Sequence, residues 1–182
     1  EKFNVIAEIV SDGKDLKSFD AIVLPGVGSY FYGMKKLIDL KFKDPIREEV
    51  LGKKKPFLGI CLGMQLIGSK GEEGETCEGL NLIPFEVKPF DFQNLSIPHI
   101  GWNNLTQKSK SQLFNNIPDN ADFYFVHSFY ASKINKKYVS GICNYGINFP
   151  ASIEFQNIYG TQFHPEKSQS VGLSLLKNFI YM

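Results

Sequence analysis

Short apolar runs rich in β-branched residues alternate with amphipathic stretches through the first half of the chain, the pattern of strands covered on both faces by helices. Residues 5–10 and 21–24 predict strands, the second ending at Pro25-Gly26. Residues 30–40, with Met34, Leu37, Ile38 and Phe42 near helical spacing, predict a helix, and Asp44-Pro45 opens another over 46–51. Lys53-Lys54-Lys55 reads as a solvated turn, 57–60 as a third strand, and 62–67 as a buried helical turn that stops before the polar, Gly-rich loop 68–79. From Leu80 onward the texture changes to strand-like pieces at 82–87, 97–105, 123–130, 138–145, 151–155 and 158–163. Hairpins joined to the α/β half fit these better than further βαβ units. Val171, Leu175, Leu176, Phe179 and Ile180 share one face of a closing helix over 170–181. The expectation is a single α/β domain over residues 1–182 with an antiparallel annex.

Composition narrows the function classes. A length of 182 residues suits one domain with a sizeable core. Lys and Arg total 20 against 19 Asp and Glu, so no global charge steers the chain onto nucleic acid or an anionic membrane. Apolar residues make up 43% and charged residues 21%, unlike a disordered chain. No apolar run approaches the roughly 18 residues of a membrane span, and the N-terminus lacks a secretory layout, so a soluble, cytoplasmic protein is expected. Cys61, Cys77 and Cys143 have neither disulfide-framework nor metal-type spacing. No metal site is expected, and any special cysteine is a free thiol.

The chemistry concentrates around Cys61, which lies between Gly59 and Gly63 at a strand-to-helix junction in Pro56-Phe-Leu-Gly-Ile-Cys-Leu-Gly-Met-Gln-Leu. This is the spacing of a nucleophile elbow with sulfur in place of oxygen, the glycines leaving room for a tight turn. A helix N-terminus favours a thiolate, and the Leu62 N–H would point outward to meet an oxyanion. The alternative is a buried structural cysteine. A cysteine nucleophile wants an imidazole and a group to hold it. His164 follows a predicted strand, with Pro165 stopping the strand and Glu166 two residues on, near enough to orient the ring; otherwise the pair is a strand-end histidine beside an exposed carboxylate. His127 is the rival base, without a carboxylate near it in sequence, and is ranked as part of the site wall. His99 and Trp102, in Pro98-His-Ile-Gly-Trp-Asn-Asn, sit in a polar and aromatic cluster suited to an interface, or form an ordinary loop. Leu24-Pro25-Gly26-Val27-Gly28 can present backbone N–H groups to an anion or be a plain turn.

Taken together, Pro25-Gly26-Val27-Gly28, Gly59-Ile-Cys61-Leu-Gly63-Met-Gln65, Phe125-Val-His127-Ser128 and Gln162-Phe-His164-Pro-Glu166-Lys-Ser168 resemble the triad-type, class I glutamine amidotransferases, in the family's order and over nearly the whole chain. Pro98-His-Ile-Gly-Trp-Asn103 extends the similarity toward the glutaminase subunit of imidazole glycerol phosphate synthase, with paralogues of surface-glycan and flagellin-sugar clusters as the alternative. The resemblance implies a three-layer, flavodoxin-like, mostly parallel sheet. It implies that Cys61, His164 and Glu166 are catalytic, that backbone N–H groups of Val27, Gly28 and Leu62 form the oxyanion hole, and that Gln65, His127 and Ser128 bind substrate. His99, Gly101, Trp102 and Asn103 then lie toward the partner and the ammonia route.

The implied substrate is L-glutamine and the implied partner a (β/α)₈-barrel cyclase or other synthase subunit in a heterodimer. No phosphate-binding loop is present in the sequence, so no ATP and no cofactor are expected. The family's first strand and most of its first helix, roughly 20 residues, have no counterpart before Glu1, and an open sheet beside the site is expected. A stand-alone γ-glutamyl cysteine hydrolase and an inactive interaction subunit are the remaining alternatives.

Overall fold

Two short parallel strands carry the first half of the fold: β1 (Ile22–Gly26), followed by helices α1 (Tyr30–Asp39) and α2 (Lys43–Arg47), pairs with β2 (Phe57–Cys61) from Ile22–Phe57 to Gly26–Cys61. The computed structural model describes residues 3–182. Every residue of β2 is buried, Phe57 facing one apolar cluster and Leu58 and Ile60 the other, which is why this strand reads as a continuous apolar run. Helix α3 (Leu62–Leu66) leaves β2 without a loop. Ser29 caps α1 by accepting from the Tyr32 N–H, and α2 continues into a wider π turn at Glu48–Gly52.

After α3 the chain makes two short strands inside the Gly-rich segment, β3 (Lys70–Gly71) and β4 (Cys77–Glu78), then β5 (Glu86–Pro89), β6 (His99–Gln107), β7 (Ala121–His127), β8 (Phe129–Ser132), β9 (Val139–Tyr145), β10 (Ile147–Phe155), β11 (Ile158–Thr161) and the closing helix α4 (Gln169–Ile180). One sheet has the order β1-β2-β11-β10-β9-β6-β7 and a smaller one β4-β3-β5-β8. The α/β class stands, and the antiparallel part is continuous with the parallel one: β2 is flanked in parallel by β1 and β11, while β11 through β7 pair antiparallel. That antiparallel half curls until β7 meets the residue that ends β11's run, the His164 N–H donating to Tyr124 O at 2.9 Å. Phe123, Phe125, Phe149 and Phe163, all fully buried, fill the curl.

Three expectations change. Residues 5–10 form no strand: Ile6 and Ile9 are 89% and 99% exposed, because among the described residues no strand lies beside them to accept their backbone groups. No described strand precedes Ile22, and β1 is the edge of the sheet, with Val23 half exposed. Lys55 is not solvated: its Nζ lies 2.9 Å from Glu49 and donates to Leu16 O, contacts across the fold that pull it inward. The expected strand 123–130 is two strands, because the chain leaves the large sheet at Ser128 and enters the small one.

The close passage at the β2–α3 junction is testable. A Cβ on Gly59 would stand 2.5 Å from Gly63 O and 2.7 Å from Met64 N, both backbone atoms that cannot swing aside. Gly59→Ala is expected to cost about 1–3 kcal/mol in denaturant unfolding; unchanged stability would show that the junction relaxes freely.

Candidate active site

Cys61 ends β2 with φ +53° and ψ −108°, a conformation that side-chain-bearing residues avoid. The turn is possible because Gly59 and Gly63 let backbone pass where side chains would sit, a Cβ on Gly63 meeting Leu24 O of β1. The sulfur is thereby held at the first turn of α3, with the thiol toward Val126 O of β7 at 3.8 Å. Gly26 is the register partner of Cys61, so Val27 and Gly28 follow directly beside the elbow. Val27 is 79% exposed, and Gly28 adopts φ +97°, the left-handed region a glycine tolerates.

His164 is brought to the sulfur by the curl of the sheet. Its backbone is pinned on both sides of Tyr124: the His164 N–H donates to Tyr124 O, the Tyr124 N–H to Ser168 Oγ at 3.0 Å, and the Ser168 hydroxyl to His164 O at 2.6 Å. Pro165 opens the 3-10 turn Pro165–Lys167, which turns Glu166 back so that its Oε1 is 2.7 Å from His164 Nδ1. The other ring nitrogen is buried and has no hydrogen-bond partner among the described residues. Cys61 is the largest influence on the ring, ahead of Glu166; together they outweigh burial and lift the His164 pKa to about 9. Burial is the largest single influence on the Glu166 carboxyl and raises it, but the hydrogen bond to His164, a backbone hydrogen bond and the nearby His164 and Lys167 charges together outweigh it, so the net shift is downward. An imidazole between a carboxylate and a thiol can hold the sulfur's proton and deliver it to a departing group.

Gln65 lies on the buried face of α3, and its Nε2 donates to Phe129 O and to Gln162 Oε1, each at 3.1 Å. His127 ends β7, its Nδ1 2.8 Å from Phe129 O, and Ser128 is the half-buried residue between β7 and β8. Cys61, His164, Glu166, Gln65, His127 and Ser128 are thus gathered at one end of the sheet.

The family's sequence model, described as "Glutamine amidotransferase class-I", matches residues 2–182. The chain belongs to the class I glutamine amidotransferases. This amidotransferase is 50% identical over 181 residues to "Imidazole glycerol phosphate synthase subunit HisH 1" of Campylobacter jejuni (strain RM1221), a match covering 99% of the chain and 90% of the relative. It is 45% identical over 179 residues to "Imidazole glycerol phosphate synthase subunit HisH" of Methanosarcina barkeri (strain Fusaro / DSM 804), covering 96% and 85%. A solved structure titled "Crystal structure of glutamine amidotransferase" shares the fold at a TM-score of 0.75 and 15% identity, over 98% of this chain and 88% of that one.

His99 opens β6 and faces inward. The residue is 3% exposed and not on an outer surface; its ring stacks on Tyr145 at 4.1 Å between centroids and its Nδ1 is 3.0 Å from His127 Nε2. Gly101 (φ +128°), Trp102 (49% exposed) and Asn103 follow on β6, a strand where a loop was also considered, with Trp102 edge-on to Tyr124 and Lys167 above that same ring. Burial lowers the pKa of His99 to about 4, and burial, opposed by the hydrogen bond to Phe129, lowers that of His127 to about 3. Sequence reasoning gave no role to Gln162, Ser168, Tyr124 or Phe129. Gln162 and Ser168 stand inside the quoted motif, but their partners are set by strand pairing alone.

The amidotransferase has three histidines, so each ring can be followed by NMR. His164 should keep its proton through neutral pH and release it near pH 9, while His99 and His127 stay neutral down to about pH 4 and 3. Glu166→Gln removes one cause of the upward shift and should move the His164 midpoint down; an unmoved midpoint would separate Glu166 from the ring.

Proposed function

We propose that the chain is the glutaminase subunit of an imidazole glycerol phosphate synthase, residues 1–182 forming one amidotransferase domain that serves histidine biosynthesis. The observation that carries this reading is the 50% identity to a relative of that name over 99% of the chain. The arrangement of buried Cys61 and His164 with the more exposed Glu166 supports the chemistry.

In this reading Cys61 attacks the side-chain amide carbon of L-glutamine. Sulfur gains the acyl group as the carbonyl oxygen takes up charge, and N–H groups of Leu62 and of the Val27–Gly28 segment receive that oxyanion. His164, protonated at neutral pH and held by Glu166, hands its proton to the departing nitrogen and ammonia leaves. The freed imidazole takes a proton from water, hydroxide displaces sulfur from the γ-glutamyl thioester, and glutamate leaves with the thiol pair restored. Gln65, His127 and Ser128 border the space for the substrate. The Val27–Gly28 turn is exposed, so a docked subunit can set its conformation and with it one oxyanion donor.

The partner is a (β/α)₈-barrel cyclase subunit forming a heterodimer with this chain. The segment of β6 carrying Gly101, Trp102 and Asn103 receives it, with Trp102 outward and Asn103 inward against His99, where ammonia would pass. No described helix is long and apolar enough to cross a membrane.

Mixing the chain with purified cyclase subunit should raise glutamate release on the order of a hundredfold, the worth of one oxyanion donor. Cys61→Ala should abolish the release yet still bind the cyclase. High release by the chain alone, unchanged on mixing, would instead fit a stand-alone hydrolase. Failure of the complex to label at Cys61 with a glutamine-mimicking electrophile would fit an inactive subunit.

A further inference from the structure

Gln162 has no part in the reaction as described, yet its amide is one of the groups on the sulfur. It follows β11 directly, is 0% exposed, and its Nε2 donates to Cys61 Sγ at 3.8 Å. Its Oε1 accepts from Gln65 Nε2 at 3.1 Å, and the same Nε2 donates to Phe129 O at 3.1 Å. A main-chain carbonyl can only accept, so the Phe129 oxygen decides which end of Gln65 faces it. Turning the Gln65 amide over would set oxygen against oxygen there; turning the Gln162 amide over would set N–H against N–H between the two glutamines. The N–H of Gln162 therefore has one direction, toward the sulfur.

The ordering continues on the far side of the same carbonyl. Phe129 O also receives the His127 Nδ1–H at 2.8 Å, which leaves His127 Nε2 as an acceptor for the His99 Nδ1–H at 3.0 Å. His99 Nε2 in turn accepts from Asn103 Nδ2 at 3.2 Å, whose other proton goes to Asn144 O at 3.0 Å. Each imidazole carries one proton and each amide has one orientation, so nothing among the described residues competes for the carbonyl lone pair that Gln65 uses.

We propose that Gln162 is a further catalytic residue of the glutaminase reaction, its side-chain N–H holding the Cys61 sulfur as an anion facing His164, and that Gln65 is the positioning residue that aims it. The inference rests on Cys61 being the nucleophile. A hydrogen bond to a charged acceptor stabilises the anion without altering the thiol form to the same degree, so its effect is read in how the thiol's reactivity changes with pH.

The test is alkylation of the chain by iodoacetamide between pH 5 and pH 10, resolved by peptide mass, with Cys77 and Cys143 as references in each sample. Gln162→Met keeps the volume and removes the donor; at pH 7 Cys61 alkylation should slow about tenfold, with the profile moved to higher pH, the loss of one charge-assisted bond. Gln65→Met should move the profile the same way by less. Gln162→Glu keeps the shape, replaces the donor by a carboxylate and should move it at least as far, and it covers the case of Gln162→Met failing to fold, judged by near-UV circular dichroism. A folded Gln162→Met or Gln162→Glu variant with the unsubstituted chain's profile overturns the proposal while leaving Cys61 as nucleophile. Cys61 reacting no faster than Cys77 or Cys143 in the unsubstituted chain overturns both.

Discussion

The peptide geometry at Cys61 governs the rest of the site. A side-chain-bearing residue at φ +53° and ψ −108° costs on the order of 1–3 kcal/mol and persists only where its neighbours leave no alternative. Here β2 is held in parallel by β1 on one side and β11 on the other, buried on both faces, and α3 begins at the next residue. With both ends fixed, the chain has to turn within one residue, and the turn is sterically open only because Gly59 and Gly63 let backbone pass backbone. The sulfur is thus placed by main-chain constraint, and its hydrogen bonds, at 3.8 Å, act on a position already set.

The second contribution comes from the curl of the antiparallel strands. In the order of the sheet β7 is four places from β11, yet Tyr124 of β7 holds the backbone of His164 through one main-chain bond and a bridge through the Ser168 hydroxyl. The aromatic filling makes this possible: Phe123 stacks on Phe163 at 4.0 Å between centroids, and Phe125 and Phe149 close the space beneath His99 and His127. Packing and polarity are coupled at this point. The same burial that draws the strands together keeps His99 and His127 neutral, and neutral rings with fixed tautomers leave the Phe129 carbonyl free to order the glutamine amides. His164, equally enclosed, is pushed the other way because the Cys61 sulfur and the Glu166 carboxylate face it. The three histidines therefore serve different ends, set by what each nitrogen meets.

How much of this was legible in the sequence depended on how local each cause is. The apolar run ending in Gly59-Ile-Cys61-Leu-Gly63 carries its own reason for a strand, a tight turn and a buried helix, and both glycines and the junction lie where they were expected. His164 and Glu166 are two residues apart with a proline between, so their contact needs little beyond the local turn. Residues 5–10 have strand composition and form none, since a strand needs a neighbour and composition does not supply one. Lys55 reads as a surface lysine until Glu49 and the Leu16 carbonyl are seen beside it. His99 belongs to a segment whose polar and aromatic composition suits an interface or a loop, and it is the pairing of β6 with β7 that turns its ring inward onto His127.

The sequence by itself determined the chemistry on offer and its local geometry: a thiol on a glycine-flanked elbow, an imidazole with a carboxylate attached, and enough apolar residues to enclose them. These are properties of adjacent residues, so the order of side chains suffices to state them. Only the tertiary structure decided which histidine faces the sulfur, which two are kept neutral, and which buried amide donates to it. Those outcomes follow from strand order and curl, which bring residues 61, 126, 129, 162 and 164 to one point. A hydrogen bond between residues a hundred positions apart leaves no local trace in the sequence, and the polarity of the network is set by a main-chain carbonyl that any residue would have carried.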